Sequence, residues 1–255
     1  MKKITYALCV YFFIIVYAHC TEAENVEPLI KTHWGQRGLY AQYTPNKERL
    51  GCWSVALSQI LYYHKAQPSG GVKYEGKGYR VSETLDYTFK WELFSDSLTP
   101  STPKDKQSEV ARYCYYTAIA IGKDFTEEAA YKGNSDYRRK GLTEHYGCAT
   151  RGYRNYREGA EAVRTAILSE LAAKRPLLLY IEGENLGHAF VIDGVRTDGD
   201  KFEVHLNCGW NGGDNGWFEF EKPINTSHGL FNNPNRWVLA IRPKKENPTK
   251  DLKNK

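Results

Sequence analysis

Residues 51–63 read GCWSVALSQILYY, and their apolar side chains recur with the spacing of one helix face. Positions i, i+3, i+4, i+7 and i+8 of this pattern are Trp53, Ala56, Leu57, Ile60 and Leu61. Such spacing predicts an amphipathic helix. Pro68 and the Gly70-Gly71 pair follow it, and both residue types end helices. We therefore expect a helix that begins at Cys52.

Along the rest of the chain, the pattern changes from helical to strand-like. Helical spacing recurs at about residues 107–122 and 159–174. After Pro176, turn-forming residues separate short apolar runs at 177–181, 188–195, 202–206, 217–220 and 237–241. The sequence therefore predicts an α+β fold in two lobes, a helical N-terminal lobe and a C-terminal lobe built of antiparallel sheet or barrel.

The first candidate for chemistry is Cys52, at the start of the predicted helix. A thiol at a helix N-terminus feels the positive end of the helix dipole, which lowers its pKa and favours the nucleophilic thiolate. The alternative is an inert buried cysteine, because free cysteines are among the most buried residues. A nucleophile also needs a base beside it.

The candidate base is His188, in the stretch LGHAFVIDG at residues 186–194. Gly187 lets another segment of chain come close, and the apolar strand that follows holds the backbone of His188 rigidly. Asp193 lies in the same stretch, but it precedes Gly194, and we interpret it as a turn residue.

Three further residues could complete such a site. Asn207 ends the next predicted strand, 19 residues after His188, and its amide could orient the imidazole. Trp210 could cover the contact between them and exclude water. Gln36 precedes Cys52 by 16 residues, and its amide could join the Cys52 backbone N–H as an oxyanion hole.

Taken together, these blocks resemble the streptopain family of secreted papain-like cysteine peptidases. The resemblance covers residues 34–243 and rests on the order of five short motifs: GC at 51–52, QILYYH at 59–64, GHAFVIDG at 187–194, HLN with GW at 205–210 and GWF at 216–218. The 136 residues between Cys52 and His188 also fall inside the roughly 130–150 expected in papain-like enzymes.

The resemblance implies a papain-like fold with the active-site cleft between the two lobes. It implies Cys52 as nucleophile, His188 as general base and then acid, and Asn207 as the residue that orients His188. Gln36 would be an oxyanion donor, and Trp210 with Gly187 would shield the site or bind substrate. The implied activity is that of an endopeptidase on protein or peptide substrates, with a bulky apolar residue second before the scissile bond.

The sequence departs from the family in three places. Cys208 stands where the family typically has a tryptophan, and Trp53 after the nucleophile is more like papain itself. Only a dozen or so residues separate the predicted leader from Trp34, which leaves no room for the family's long propeptide. Either a separate protein inhibitor holds the enzyme off, or it acts from the moment of secretion, or it has ceased to be a peptidase.

The charge of the chain lies mostly at its ends. The formal net charge is +5, of which residues 1–20 contribute +2 and residues 244–255 contribute +3, so residues 21–243 are neutral. This distribution favours no nucleic-acid partner, which would need a basic face. Two lysines followed by the apolar run 4–18 predict a signal peptide over residues 1–20, cleaved after Cys20 or Ala23.

The apolar run is shorter than the roughly 20 residues that a membrane span needs, so we expect no stable membrane insertion. The predicted organisation is a leader, a peptidase domain over residues 24–243 and a charged flexible tail over residues 244–255. The predicted location is secreted, either extracellular or periplasmic.

The remaining cysteines leave two interpretations open. If cleavage follows Cys20 and Cys52 is reserved as a thiol, three cysteines remain and at most one disulfide can form. A Cys114–Cys148 bond and a pair of buried thiols are both compatible with the sequence. His-x-x-Cys occurs at residues 145–148 and 205–208, but the two copies lie 60 residues apart. We therefore predict no metal site and no cofactor.

Two other functions compete with the peptidase. One is a catalytically silent binding or toxin module on a papain-like shell. The other is a thiol amidase or acyl transferase, because the same three residues do not determine which acyl acceptor is used.

Overall fold

The computed structural model describes residues 25–77, 79–126, 130–183 and 187–244. The predicted signal peptide at residues 1–20 lies outside these ranges, as does the predicted tail except for Lys244. In the described part of the chain, no helix is long and apolar enough to cross a membrane.

Five α-helices occur in the described residues, besides three short 3-10 helices at Gly38–Ala41, Pro45–Lys47 and Trp91–Leu93. The α-helices are α1 (Cys52–Tyr63), α2 (Lys104–Ala120), α3 (Ser135–Tyr146), α4 (Asn155–Glu158) and α5 (Ala160–Ala172). Asn134 caps α3, since its side-chain oxygen accepts from the N–H groups of Asp136 and Tyr137, and Gly147 ends that helix in the left-handed conformation at φ 62°. The predicted helices at 51–63, 107–122 and 159–174 are confirmed as α1, α2 and α5.

The centre of the molecule is a six-stranded antiparallel sheet with the strand order β3-β10-β4-β5-β6-β7. Its strands are β3 (Cys148–Arg154), β4 (Leu177–Glu182), β5 (Gly187–Asp198), β6 (Lys201–Asn207), β7 (Gly216–Glu219) and β10 (Arg236–Pro243). Two hairpins stand apart from it, β1 (Gly71–Glu75) with β2 (Arg80–Thr84), and β8 (Ile224–Thr226) with β9 (Gly229–Phe231). All five predicted strand runs are confirmed.

Both faces of the central strands are buried, each in its own hydrophobic core. Because successive side chains of a strand point to opposite faces, alternate residues divide between the two cores. One core joins α1 and α2 to the face that carries Leu178, Ala189, Val191, Leu239 and Ile241. The other joins α5 to the face that carries Leu179, Phe190, Ile192, Val238 and Ala240. This division decides which side of β5 each candidate side chain faces.

Asp193 lies inside β5, so its interpretation as a turn residue was wrong. It lies at a β-bulge between Ile192 and Gly194, and its side chain is fully buried. One carboxylate oxygen lies 2.7 Å from Nδ1 of His205, and the other accepts from the backbone N–H of Ile30 at 3.0 Å. These bonds tie the N-terminal segment to the sheet, and they satisfy a buried carboxylate that a surface turn would have left in water.

Candidate active site

Cys52 begins α1 directly after a sharp turn at Gly51. Gly51 has φ 85°, and a Cβ added there would lie 2.6 Å from the Tyr131 hydroxyl. That hydroxyl accepts from the N–H of Ser54 at 3.2 Å and donates to the carbonyl of Leu50 at 3.3 Å. The turn therefore needs glycine, and Tyr131 holds it from both sides of the cysteine.

The Cys52 thiol is partly buried, and this burial decides its acidity. Burial raises the pKa of the thiol, while the backbone N–H of Ala189, the N–H groups at the start of α1 and the charge of Arg49 act to lower it. The net direction is upward, so the prediction of a lowered pKa from the helix end alone was wrong. Desolvation of the anion outweighs the helix N-terminus here.

His188 lies in β5, one residue before the Ala189 backbone that contacts Cys52. Its Nε2 lies 2.8 Å from the backbone carbonyl of Cys208. Its ring packs against Phe190 and Trp210, with centroids 4.6 and 4.3 Å away. Burial among these rings lowers the pKa of His188 to about 4, because the imidazolium loses its hydration there. At neutral pH His188 is therefore a neutral imidazole.

Gly187 allows the start of β5 to lie close to its neighbour. A Cβ at this position would lie 2.0 Å from the Tyr180 hydroxyl. A side chain at this position would displace the Tyr180 ring, which lines the cleft at Cys52.

The structure does not bring Asn207 onto His188, contrary to the expectation. The side-chain oxygen of Asn207 accepts from Gln59 and from the N–H of Gly209, both at 3.1 Å, and its NH₂ donates to the Thr32 carbonyl at 2.7 Å. The reason is register. Asn207 pairs with Val191, whose side chain packs in the core of α1, whereas the His188 ring lies at the start of β5 against Phe190 and Trp210.

Trp210 stacks between two histidines. Its ring centroid lies 4.3 Å from that of His188 and 4.0 Å from that of His228, and the latter pair is nearly parallel at 21°. His228 comes from the turn between β8 and β9. Two residues before Trp210, the Cys208 thiol donates to the Asp214 carbonyl. The backbone oxygen of Cys208 is the atom that meets His188.

Gln36 lies beside the turn that carries Cys52. Its backbone carbonyl accepts from the N–H of Leu50 at 2.9 Å, two residues before Cys52. The preceding Gly35 is in close contact with the side chain of Asn211, which a Cβ at Gly35 would overlap at 2.2 Å. The Gln36 segment is thus held between the Trp210 loop and the start of α1.

A cleft of about 590 Å³ opens at Cys52. Its floor is aromatic: the ring centroid of Trp53 lies 5.2 Å from that of Trp237 and 5.5 Å from that of Tyr180. Two guanidinium groups lie on this floor, Arg138 at 4.6 Å from the Trp53 ring and Arg154 at 4.7 Å from the Trp237 ring. Neither arginine was predicted from the sequence.

The other cysteines in the described ranges are free thiols. Cys114, Cys148 and Cys208 are buried, and burial raises the pKa of each to about 12. Two interpretations were left open for Cys114 and Cys148. In the structure they are buried thiols and do not form a disulfide. Within the described ranges, no group of three or more His, Cys, Asp or Glu side chains is arranged to hold a metal ion.

Comparison with known proteins gives one matching family and several relatives. The model of the peptidase C10 family matches residues 34–218. Streptopain from Streptococcus pyogenes is 24% identical over 264 residues, which covers 87% of this chain and 65% of streptopain. The thiol protease/hemagglutinin PrtT of Porphyromonas gingivalis is 25% identical over 177 residues, which covers 66% of this chain and 20% of PrtT. The chain thus spans about two thirds of the length of streptopain and a fifth of that of PrtT.

Among solved structures, the chain is similar to the interpain A cysteine protease of Prevotella intermedia. The active wild-type form superposes with a TM-score of 0.70 at 23% identity, covering 86% of this chain and 94% of that one. A mutant fragment of prointerpain A from the same organism gives the same TM-score and covers 85% of this chain and 72% of the fragment. At this identity the likeness establishes a shared α+β fold.

Proposed function

The chain belongs to the peptidase C10 family, and from that premise we propose that it is a secreted cysteine endopeptidase with Cys52 as nucleophile and His188 as general base. The observation that carries the proposal is the position of the Cys52 sulfur. It stands at the head of a buried helix, at the edge of the cleft, against the backbone of the residue that follows His188.

The hydrogen bond of His188 supports its role as a base. A backbone carbonyl can only accept, so the Nε2 that lies 2.8 Å from the Cys208 oxygen carries the ring proton. The neutral ring then has its lone pair on Nδ1. Nδ1 is therefore the atom that takes the Cys52 proton, and the Cys208 carbonyl is the group that orients the ring.

The protonation states suggest how the reaction begins. In the resting enzyme a raised thiol pKa and a lowered imidazole pKa keep both groups neutral. As a substrate enters, the sulfur attacks the peptide carbonyl while His188 Nδ1 takes the thiol proton. His188 then gives that proton to the leaving amine, the C–N bond breaks and a thioester remains. Water, deprotonated by His188, hydrolyses the thioester and restores the thiol.

Charge that develops on the carbonyl oxygen needs donors. We assign this role to the Cys52 backbone N–H and to the side-chain amide of Gln36. As the first residue of α1, Cys52 has an N–H without a partner inside the helix. The bond between the Gln36 carbonyl and Leu50 supports the assignment, because it keeps Gln36 beside the nucleophile.

Asn207 then acts as a positioning residue, which contacts neither Cys52 nor His188 through its side-chain hydrogen bonds. Its amide joins Gln59 of α1, the N-terminal segment at Thr32 and the turn at Gly209. It thereby steadies the turn whose Cys208 carbonyl meets His188. Trp210, packed on the imidazole, keeps water from that bond.

The remaining finer features belong to the same proposal. A two-lobed arrangement, with the cleft at Cys52 between the lobes, is one of them. We further propose that the protein is secreted, that it acts on proteins or peptides, and that a separate protein inhibitor controls it.

The test combines turnover with covalent labelling. We expect the purified protein to hydrolyse an internally quenched peptide library under reducing conditions and to react with an epoxysuccinyl probe at Cys52, as located by mass spectrometry. Cys52→Ala should abolish both, and Cys114→Ala, which changes a thiol in the core, should keep both.

Other outcomes point elsewhere. A protein that neither labels nor cleaves would be the silent binding module. Labelling with acyl transfer to an added amine, rather than to water, would indicate a transferase. Full turnover in Cys52→Ala would overturn the site.

A further inference from the structure

The floor of the cleft at Cys52 is covered by positive charge. The indoles of Trp53 and Trp237 lie side by side, yet only 4% and 6% of their surfaces are exposed. Arg138 of α3 lies on the first ring and Arg154, the last residue of β3, lies on the second. A substrate side chain that enters the cleft therefore meets guanidinium groups before it meets the aromatic floor.

Arg138 has hydrogen-bonding capacity to spare. Its Nε is buried and has no hydrogen-bond partner, and among the described residues no carboxylate forms an ion pair with it. The next residue, Arg139, is committed instead, since it pairs with Asp136 and donates to Thr150. A buried donor without an acceptor is costly, and a ligand that brings an acceptor recovers that cost.

The charge of Arg138 is not neutralised by its surroundings. Burial lowers its pKa, but a guanidinium keeps its proton at any physiological pH. The carboxylate among the lining residues is Glu182, which is exposed at the rim and accepts from the side chain of Asn233 at 3.1 Å. Partly buried positive charge beside an aromatic face is a favourable site for a carboxylate.

We propose that this pocket binds an acidic side chain of the substrate, within two residues of the scissile bond, and that Arg138 is the residue that selects it. The inference rests on the peptidase function proposed above. It replaces the bulky apolar preference implied by the resemblance, because the apolar floor here is already covered. The range of two residues rests on proximity, because Cys52 and Arg138 line the same cleft and lie close enough to interact electrostatically.

The first experiment needs only the unaltered protein. Matched peptides that carry Glu, Gln or Leu at each position within two residues of the scissile bond are compared by kcat/KM. We expect at one position a Glu/Gln ratio on the order of tenfold or more, which is the range for a hydrogen bond to a charged group. The ratio should fall as salt is raised, because salt screens the ion pair. A Leu preference at every position would overturn the inference.

Variants then assign the selection to Arg138. Arg138→Gln should bring the Glu/Gln ratio to within about twofold of unity, and Arg138→Lys should keep part of it, because a lysine retains charge but not the planar fork. Arg139→Gln is the matched control, on the same helix but turned to Asp136, and should keep the full ratio. Equal ratios in the Gln variants at 138 and 139 would show that Arg138 is not the selecting residue.

Failure of this inference is distinguishable from failure of the proposed function. If Cys52 labels and neutral peptides are cleaved best, the peptidase stands and the acidic preference is wrong. If the protein does not cleave any peptide, calorimetry of the Glu and Gln peptides decides the pocket directly. Tighter binding of Glu, lost in Arg138→Gln, supports the inference, and equal binding rejects it.

Discussion

Two basic side chains near Cys52, His188 and Arg138, both pack on aromatic rings. They nevertheless differ in charge state. His188 is enclosed by Phe190 and Trp210 and becomes neutral, with its pKa lowered to about 4. Arg138 rests on Trp53, is also desolvated, and stays charged. The same environment has different effects because the ordinary pKa is near 6.5 for an imidazole and above 12 for a guanidinium. Aromatic burial thus leaves one side chain neutral, as the proposed base requires, and the other charged, as the proposed anion-binding group requires.

The largest effect we expect comes from His188→Gln. Without a base at this position, kcat/KM should fall by on the order of 10³-fold or more, because nothing else takes the Cys52 proton. Steady-state cleavage of the best library peptide measures it. His145→Gln, which changes a partly buried histidine bonded to the Ser69 carbonyl, serves as the control. Retention of a tenth of the activity in His188→Gln would mean that another group is the base.

The neutrality of His188 also predicts a slope in stability against pH. The unfolded chain takes up a proton near pH 6.5, whereas the folded chain resists it until about pH 4. Stability should therefore fall as pH drops from 6.5 to 4, by roughly 3 kcal/mol from this residue, and show no further change from it below pH 4.

Urea unfolding at pH 7, 5.5 and 4 measures that slope in the unaltered protein and in His188→Gln. We expect the two curves to differ by the stated amount between pH 7 and 4. Parallel curves would show that His188 titrates alike in both states and would break the contrast with Arg138.

The smallest effect should come from Arg154→Gln. Arg154 lies over Trp237 and also borders the outer groove that contains Arg151 and Arg157, whereas Arg138 is close enough to Cys52 for their charges to interact. We expect the Glu/Gln ratio to fall about two- to threefold, as for a partly screened charge. The same matched peptides measure it. A loss as large as that of Arg138→Gln would mean that the two arginines bind the carboxylate jointly.

Much of the fold was predictable because its elements carry their own periodicity. The three helices and five strand runs with strong apolar patterns all occur, whereas α3 was missed. Few of its residues are buried, namely Gly141, Leu142 and Tyr146, so no apolar face marks it. Its cap signals were present in Asn134 and Gly147 and could have identified it. Missing α3 also meant missing Arg138.

The candidate site was predictable in part for the same reason. Cys52 and His188 each lie at the start of a well-patterned element, and their spacing pointed to the pair. The role expected of Asn207 depended on which face of β6 it occupies, and the pairing of Asn207 with Val191 assigns it to the α1 face. A shift of one residue would have moved it to the other face of the sheet.

Sequence alone was sufficient for the α+β class, the nucleophile and base candidates and the family resemblance, because these depend on local pattern and on order along the chain. Three-dimensional packing was needed for the charge states, the group that orients His188 and the arginines over the cleft. Residues 21–243 are neutral in sum, yet folding brings Arg138 onto Trp53 and Arg154 onto Trp237. Net charge adds without regard to position, whereas the field in a cleft depends on which charges lie there and how far each is desolvated.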